Sequence, residues 1–352
     1  MAITGLTTSG ISNVIKSSSM LVNKGGYSLN FIAVAHNTSP SISVYPWNAG
    51  FGTKYANPAT LPTGDGEGVA FNPAGDTIAV AHSTTPFISV YPWSAGFGTK
   101  YANPATLPTG LGYGVTFNPA GDTIAVAHNT SPRISVYPWS AGFGTKYANP
   151  ATVPGGTGIG IVFNPAGTAI AVTHPNSPYV SVYPWSAGFG TRYANPATLP
   201  GVTQGNSVAF NPAGTAIAVA HLNSPYISVY PWNNPGFGTK YANPATLPTG
   251  TGRGVTFNPA GDTIAVAHEI TPYISVYPWS AGFGTKYTNP ATLPTGTGRG
   301  VTFNPAGDTI AVAHEITPYI SVYPWSAGFG TKYANPATLP TGDANGVKFL
   351  SI

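Results

Sequence analysis

A phrase of 46 or 47 residues recurs along this chain, and it limits what the chain can become. One copy reads FNPAGDTIAVAHSTTPFISVYPWSAGFGTKYANPATLPTG, from Phe71 to Gly110. All seven tryptophans (Trp47, Trp93, Trp139, Trp185, Trp232, Trp279 and Trp325) hold one place in it, with steps of 46, 46, 46, 47, 47 and 46 residues. The seven histidines (His36, His82, His128, His174, His221, His268 and His314) hold another. A fixed period of this length marks one supersecondary unit that buries its faces against copies of itself.

Within the unit, short β-branched and aromatic runs are bounded by Gly, Pro and Asn, which are strand and hairpin signals. In the second copy the spacing predicts strand a at Gly68–Phe71, strand b at Thr77–His82, strand c at Ile88–Trp93 and strand d within Thr99–Leu107. Strand b alternates Ile78, Val80 and His82 with Thr77, Ala79 and Ala81. A large face against a small one suits twisted sheets stacked side by side. Strand d carries Pro104 and Pro108, which only an outer edge tolerates. The expected fold is all-β: a seven-bladed β-propeller of four-stranded antiparallel blades.

The ends support closure. Gly346-Val347-Lys348-Phe349-Leu350 repeats strand a without b, c and d, while the copy beginning at Phe31 has b, c and d without a good a. The C-terminal strand would therefore complete the first blade. A rival assigns that place to Met20–Asn23; the C-terminal strand fits the spacing better. Residues 1–30 stand outside the repeat as an N-terminal tail or attachment segment, and residues 31–352 form the propeller.

Charged residues make up only 6% of the chain, so the net charge of +4 rests on few groups. Seven of the basic residues are one repeat position: Lys54, Lys100, Lys146, Arg192, Lys240, Lys286 and Lys332. Such a spaced ring is not the clustered stripe of a nucleic-acid binder, and no nucleic-acid partner is expected. Cysteine is absent, which excludes disulfides and Cys-ligated metal. Neither a signal peptide nor a membrane span is expected from the apolar patterning. Gly (44) and Pro (36) are abundant, yet 12% aromatics and regular alternation argue for a folded, turn-rich body.

The phrase GVxFNPAGxxIAVAH…ISVYPW, over residues 31–352, resembles WD-repeat and related seven-bladed propellers. The Trp-Asp dipeptide is missing, since Trp93 is followed by Ser94. More narrowly, IAVAHxxSPxISVY and NPATLPTGxGxGV resemble repeats encoded by tailed bacteriophages. That resemblance implies a virion or tail-associated component, made in the host cytoplasm and extracellular on release.

The a–b and c–d turns hardly change between copies, and the variation sits mainly in the two other connections. Before strand a the variable position reads Glu67, Tyr113, Ile159, Asn206, Arg253, Arg299 and Asn345; after strand b it reads Ser41, Phe87, Arg133, Tyr179, Tyr226, Tyr273 and Tyr319. In a four-stranded meander both connections lie on one face, the first set ringing the channel mouth and the second lying further out. Exposed Tyr, Arg and Asn on rigidly held loops are what recognition surfaces use. The expected function is thus a non-enzymatic module whose diversified face engages a surface glycan or protein, with other virion proteins contacting residues 1–30 or the constant face. A purely structural decoration protein is the alternative, and a lactonase-type enzyme is the least favoured. No cofactor or metal is expected. Equivalent histidines in adjacent blades lie ~10 Å apart, one sheet spacing, while a metal–nitrogen bond is roughly 2 Å. Histidines, tryptophans and their tyrosine neighbours read as packing. No nucleophile–base–orienter set stands out for catalysis.

Overall fold

A computed structural model describes residues 30–201, 204–233 and 236–351. The rival strand Met20–Asn23 and the N-terminal segment before Asn30 lie outside the described residues.

Among the described residues seven antiparallel sheets follow one another, six of them short meanders of consecutive strands. In the second blade, strand a is Gly66–Phe71, strand b Thr77–His82 and strand c Ile88–Pro92. The first blade is closed by the chain's end: Ala344–Ser351 pairs antiparallel with Asn30–His36, placing Val347 opposite Val34. N- and C-terminal segments of the propeller thus share one sheet, as the spacing predicts.

Large packs against small between blades. Ile78 and Val80 of the second blade meet Ala33 and Ala35 of the first, and Trp93 joins that cluster. Alanine on the receiving face lets neighbouring sheets approach closely while both faces stay buried.

The fourth strand is weaker than expected. The assigned sheets have three strands each, and the outer stretch touches strand c through little more than one bond, such as Tyr101 N–H to the Val90 carbonyl at 2.9 Å. The repeated Asn-Pro-Ala-Thr-Leu-Pro run removes the donors a ladder would need. Tyrosine compensates. Tyr137 Oη donates to the Thr106 carbonyl of the preceding blade's outer stretch at 2.8 Å, and equivalent bonds recur from Tyr45, Tyr91, Tyr183, Tyr230, Tyr277 and Tyr323.

The tryptophans are boxed, as a packing role requires. Trp139 meets Phe143 of its own turn, Phe117 of its own strand a and Tyr101 of the preceding blade, with ring centroids 5.1, 5.8 and 5.1 Å away, all edge-on. The histidines are buried too, and each sits with Nε2 3.0 Å from a strand-c serine, as in His128 with Ser135. At His36 and His314 Nδ1 lies 2.8 Å from a backbone carbonyl. A carbonyl only accepts, so Nδ1 carries the proton there and Nε2 accepts from the serine. The neutral ring is the satisfied form.

Candidate functional site

The strand-a residues of all seven blades surround a central channel, and its wider end is a cavity of about 590 Å³. The seven variable residues before strand a, Glu67, Tyr113, Ile159, Asn206, Arg253, Arg299 and Asn345, all line it. Thr157, Pro175 and Gln204 add to the wall. Glycine makes this convergence possible. A Cβ on Gly112 would lie 2.5 Å from the Phe87 carbonyl oxygen, and one on Gly158 2.3 Å from that of Arg133. The preceding blade's b–c corner therefore seats directly against the segment that enters strand a.

Ring order sets the electrostatics. Arg253 and Arg299 occupy neighbouring blades, Asn345 follows, and Glu67 stands on the next blade round. A carboxyl thus faces two guanidinium groups from two and three blades away. Burial at the mouth, reinforced by the like charge of Asp65, pushes the Glu67 carboxyl up to about 7, against a smaller opposing pull from Arg299. Burial and the Glu67 charge together raise the Tyr113 hydroxyl, so it remains a protonated donor beside that carboxyl.

Each arginine is oriented from within its own blade. Arg253 Nε donates to Glu269 Oε1 at 2.9 Å, with Nη2 on the same oxygen, and Arg299 Nη2 pairs with Glu315. The Arg299 Nε is buried and has no hydrogen-bond partner. These anchors fix two forks at the rim, each still about a third exposed. Glu269 and Glu315 follow His268 and His314 directly, a coupling between the two variable connections that is visible in the sequence as Arg and Glu varying together.

Two of the ring residues brace the rim. Asn206 is buried, donates from Nδ2 to the Gly252 carbonyl at 2.8 Å and accepts from Gln204 at 2.6 Å. Asn345 Nδ2 donates to the Gly66 carbonyl at 3.0 Å. Both bonds cross to the next blade.

The outer set is placed differently from the expectation of exposed side chains. Phe87, Arg133, Tyr179, Tyr226, Tyr273 and Tyr319 are half-buried, Ser41 is buried, and none lines the cavity. All seven have φ between 66° and 74°, the left-handed region, and each follows a cis prolyl bond. The corner is built so that the His82 N–H can reach the Phe87 carbonyl at 3.0 Å, a bond repeated around the ring. Variation there rides on a conserved backbone device.

Among the described residues no three His, Cys, Asp or Glu side chains converge to hold a metal ion. The donor set at the mouth, one carboxyl with two guanidinium groups, phenol and amides, suits an anionic organic molecule rather than a cation.

No family model matches the chain, and no curated protein matches it. Solved structures do. A periplasmic gluconolactonase of Pseudomonas aeruginosa superposes with a TM-score of 0.67 at 13% identity, covering 91% of this chain and 99% of that one. A Bacteroides uniformis protein assigned as a 6-phosphogluconolactonase gives 0.67 at 15% identity, over 92% and 99%. A Lactobacillus plantarum protein gives 0.68 at 15%, over 92% and 100%. These likenesses fix the seven-bladed fold. They also correct the resemblance drawn from the sequence: two of these three propellers are named as a gluconolactonase or a 6-phosphogluconolactonase, and none as a WD-repeat or phage-encoded repeat protein. The WD and phage reading rested on short turn and strand phrases, and solved propellers share this fold at only 13–15% identity. The reading as a non-enzymatic virion module falls with it, because the fold is shared with enzymes and the mouth contains a perturbed carboxyl, which the bare sequence could not display.

Proposed function

We propose that the chain hydrolyses a small lactone bearing an anionic group. One observation carries this reading: Glu67, with a carboxyl poised near 7, faces the Arg253–Arg299 pair across a cavity the size of a sugar acid site. The likeness in fold to a gluconolactonase supports the reaction class.

In the proposed reaction the two guanidinium groups hold the anionic substituent, which sets the lactone carbonyl towards Glu67. The ionised Glu67 takes a proton from a water molecule as the water oxygen bonds to the carbonyl carbon. Tyr113 donates to the carbonyl oxygen as negative charge develops there. Collapse of the tetrahedral intermediate breaks the bond to the ring oxygen, which leaves with the proton that Glu67 returns. A hydroxy acid is released, and Glu67 is restored.

The test is acid release from 6-phosphogluconolactone and from glucono-δ-lactone, followed at constant pH against the uncatalysed rate. Glu67→Gln should lower kcat by about 10²–10⁴-fold, the usual worth of a general base, with an unchanged melting temperature. Activity should fall as pH drops through about 7, because the base must be ionised. Arg253→Met with Arg299→Met should raise KM for the phosphorylated lactone more than for the neutral one. Hydrolysis at the uncatalysed rate, or wild-type rates from Glu67→Gln, would discard the proposal.

A further inference from the structure

The channel has a second chamber, of about 420 Å³, on the side of the constant Asn-Pro-Ala-Gly turns. The strand-a valines, such as Val69, Val115 and Val301, line both chambers and form the waist between them. Below that waist the next residue of strand a reads Ala70, Thr116, Val162, Ala209, Thr256 and Thr302 in six blades. In the strand that closes the first blade it is Lys348.

Among the described residues Lys348 is the one charged residue lining this chamber. Its side chain is exposed to the chamber, and it has no hydrogen bond or ion pair among the described residues. Its place inside the channel lowers the amine below the usual lysine range through partial loss of hydration. The chamber's other polar groups are already committed. The hydroxyls of Thr116, Thr256 and Thr302 donate to the carbonyls of Phe117, Phe257 and Phe303. The Asn118 amide donates to Asp122 at 2.7 Å. Among the described residues the ammonium is therefore the one side-chain cation without a partner in a site lined by Val, Ala, Pro and Phe together with the committed Thr and Asn side chains.

We propose that this chamber binds a small organic monocarboxylate, whose carboxylate pairs with the Lys348 ammonium and whose apolar body rests on the valine waist and on Phe71 and Phe117. Charge complementarity selects the class. One cation in a chamber whose other polar side chains are committed neutralises one negative charge, and a phosphate dianion would keep a second charge with no cation to meet it. An uncharged apolar molecule would leave the amine as it stands. The chamber is separate from the Glu67 mouth and the inference does not depend on the lactonase reading.

Titration calorimetry of the full chain with sodium benzoate, benzamide and phosphate tests the site. Benzoate should bind the wild type about tenfold or more tightly than benzamide does, the least that a buried ion pair should contribute. Lys348→Met should weaken benzoate by about tenfold or more, and Lys348→Arg, which keeps the charge, should retain binding. Arg253→Met with Arg299→Met should leave benzoate affinity unchanged, which separates this chamber from the mouth. Melting curves establish that the variants are folded; if Lys348→Met is not, the benzamide and Lys348→Arg comparisons decide. Absence of benzoate binding, equal affinity of the folded Lys348→Met variant, equal affinity of benzamide, tighter binding of phosphate, or loss of benzoate binding with the rim arginines would each overturn the proposal.

Discussion

The blade walls and the channel lining follow opposite rules. In the walls every blade repeats the same contacts: a histidine on a serine, a tyrosine hydroxyl on the preceding blade, a tryptophan boxed by three rings. Along the channel the blades diverge: Glu67, Tyr113, Ile159 and Lys348 each appear once at their position, while Asn and Arg each appear twice at the mouth. Sevenfold repetition makes a rigid ring by adding one modest interaction seven times. It cannot make an asymmetric site, because a symmetric ring offers no preferred direction to a substrate. Function must lie where the copies diverge, and here the divergence is concentrated in side chains that the ring turns inward.

The largest test of this division is acid. Burial holds six of the histidines at about 4, and His314 is lowered as well. Unfolded, these rings titrate near 6.5, so the unfolded chain binds more protons between pH 6.5 and 4. Stability present above pH 6.5 is therefore lost as pH falls through that window, by roughly 3 kcal/mol at the limit for each of the six rings held at about 4. Six such losses exceed the usual 5–15 kcal/mol of a folded domain, and His314 acts in the same direction. Glu67 acts the other way, because its raised carboxyl gains on the unfolded chain as pH falls, but it is one group against seven. Tryptophan fluorescence against pH should show cooperative unfolding with a midpoint above 4. A chain still native at pH 4 would mean that the histidines are not what locks the walls.

A single wall contact comes next. Trp139→Ala removes a ring that is 5% exposed and leaves Tyr101, Phe117 and Phe143 around a void, at a cost of about 3–5 kcal/mol. Thermal melting should fall by several degrees. Glu67→Gln should instead abolish turnover and leave melting in place. A Trp139→Ala protein that melts normally, or a Glu67→Gln protein that unfolds, would erase the distinction between wall and lining.

Much of the fold was legible because blade packing is written in short-range pattern. Ile78 and Val80 alternate with alanines, and the orphan strand at Val347 matches the first blade's missing one. The channel ring was legible too, as the position where Glu67, Arg253 and Arg299 vary. Its chemistry was not, since what perturbs Glu67 is burial by six other blades. The outer positions misled for a backbone reason. The position of Tyr226 and Tyr273 varies as loop positions do, yet at the left-handed corner both side chains are half-buried. Lys348 looked like one more strand residue, because only ring closure reveals that its position faces the axis.

The smallest effect separates blade from ring within the wall itself. Tyr137→Phe keeps the buried ring and deletes only the bond to the Thr106 carbonyl of the preceding blade. Removing one neutral hydrogen bond should cost about 1 kcal/mol. If the outer stretch depends on that bond, the loss should appear locally, as faster amide exchange at Tyr101 before any change elsewhere. Proline has taken away the ladder that would otherwise hold this stretch, so the tyrosine is its main polar tie. Exchange rising uniformly over all seven blades would show instead that the ring opens only as a whole. In that case the outer stretch is part of one cooperative body, and the repeats are units of sequence but not of stability.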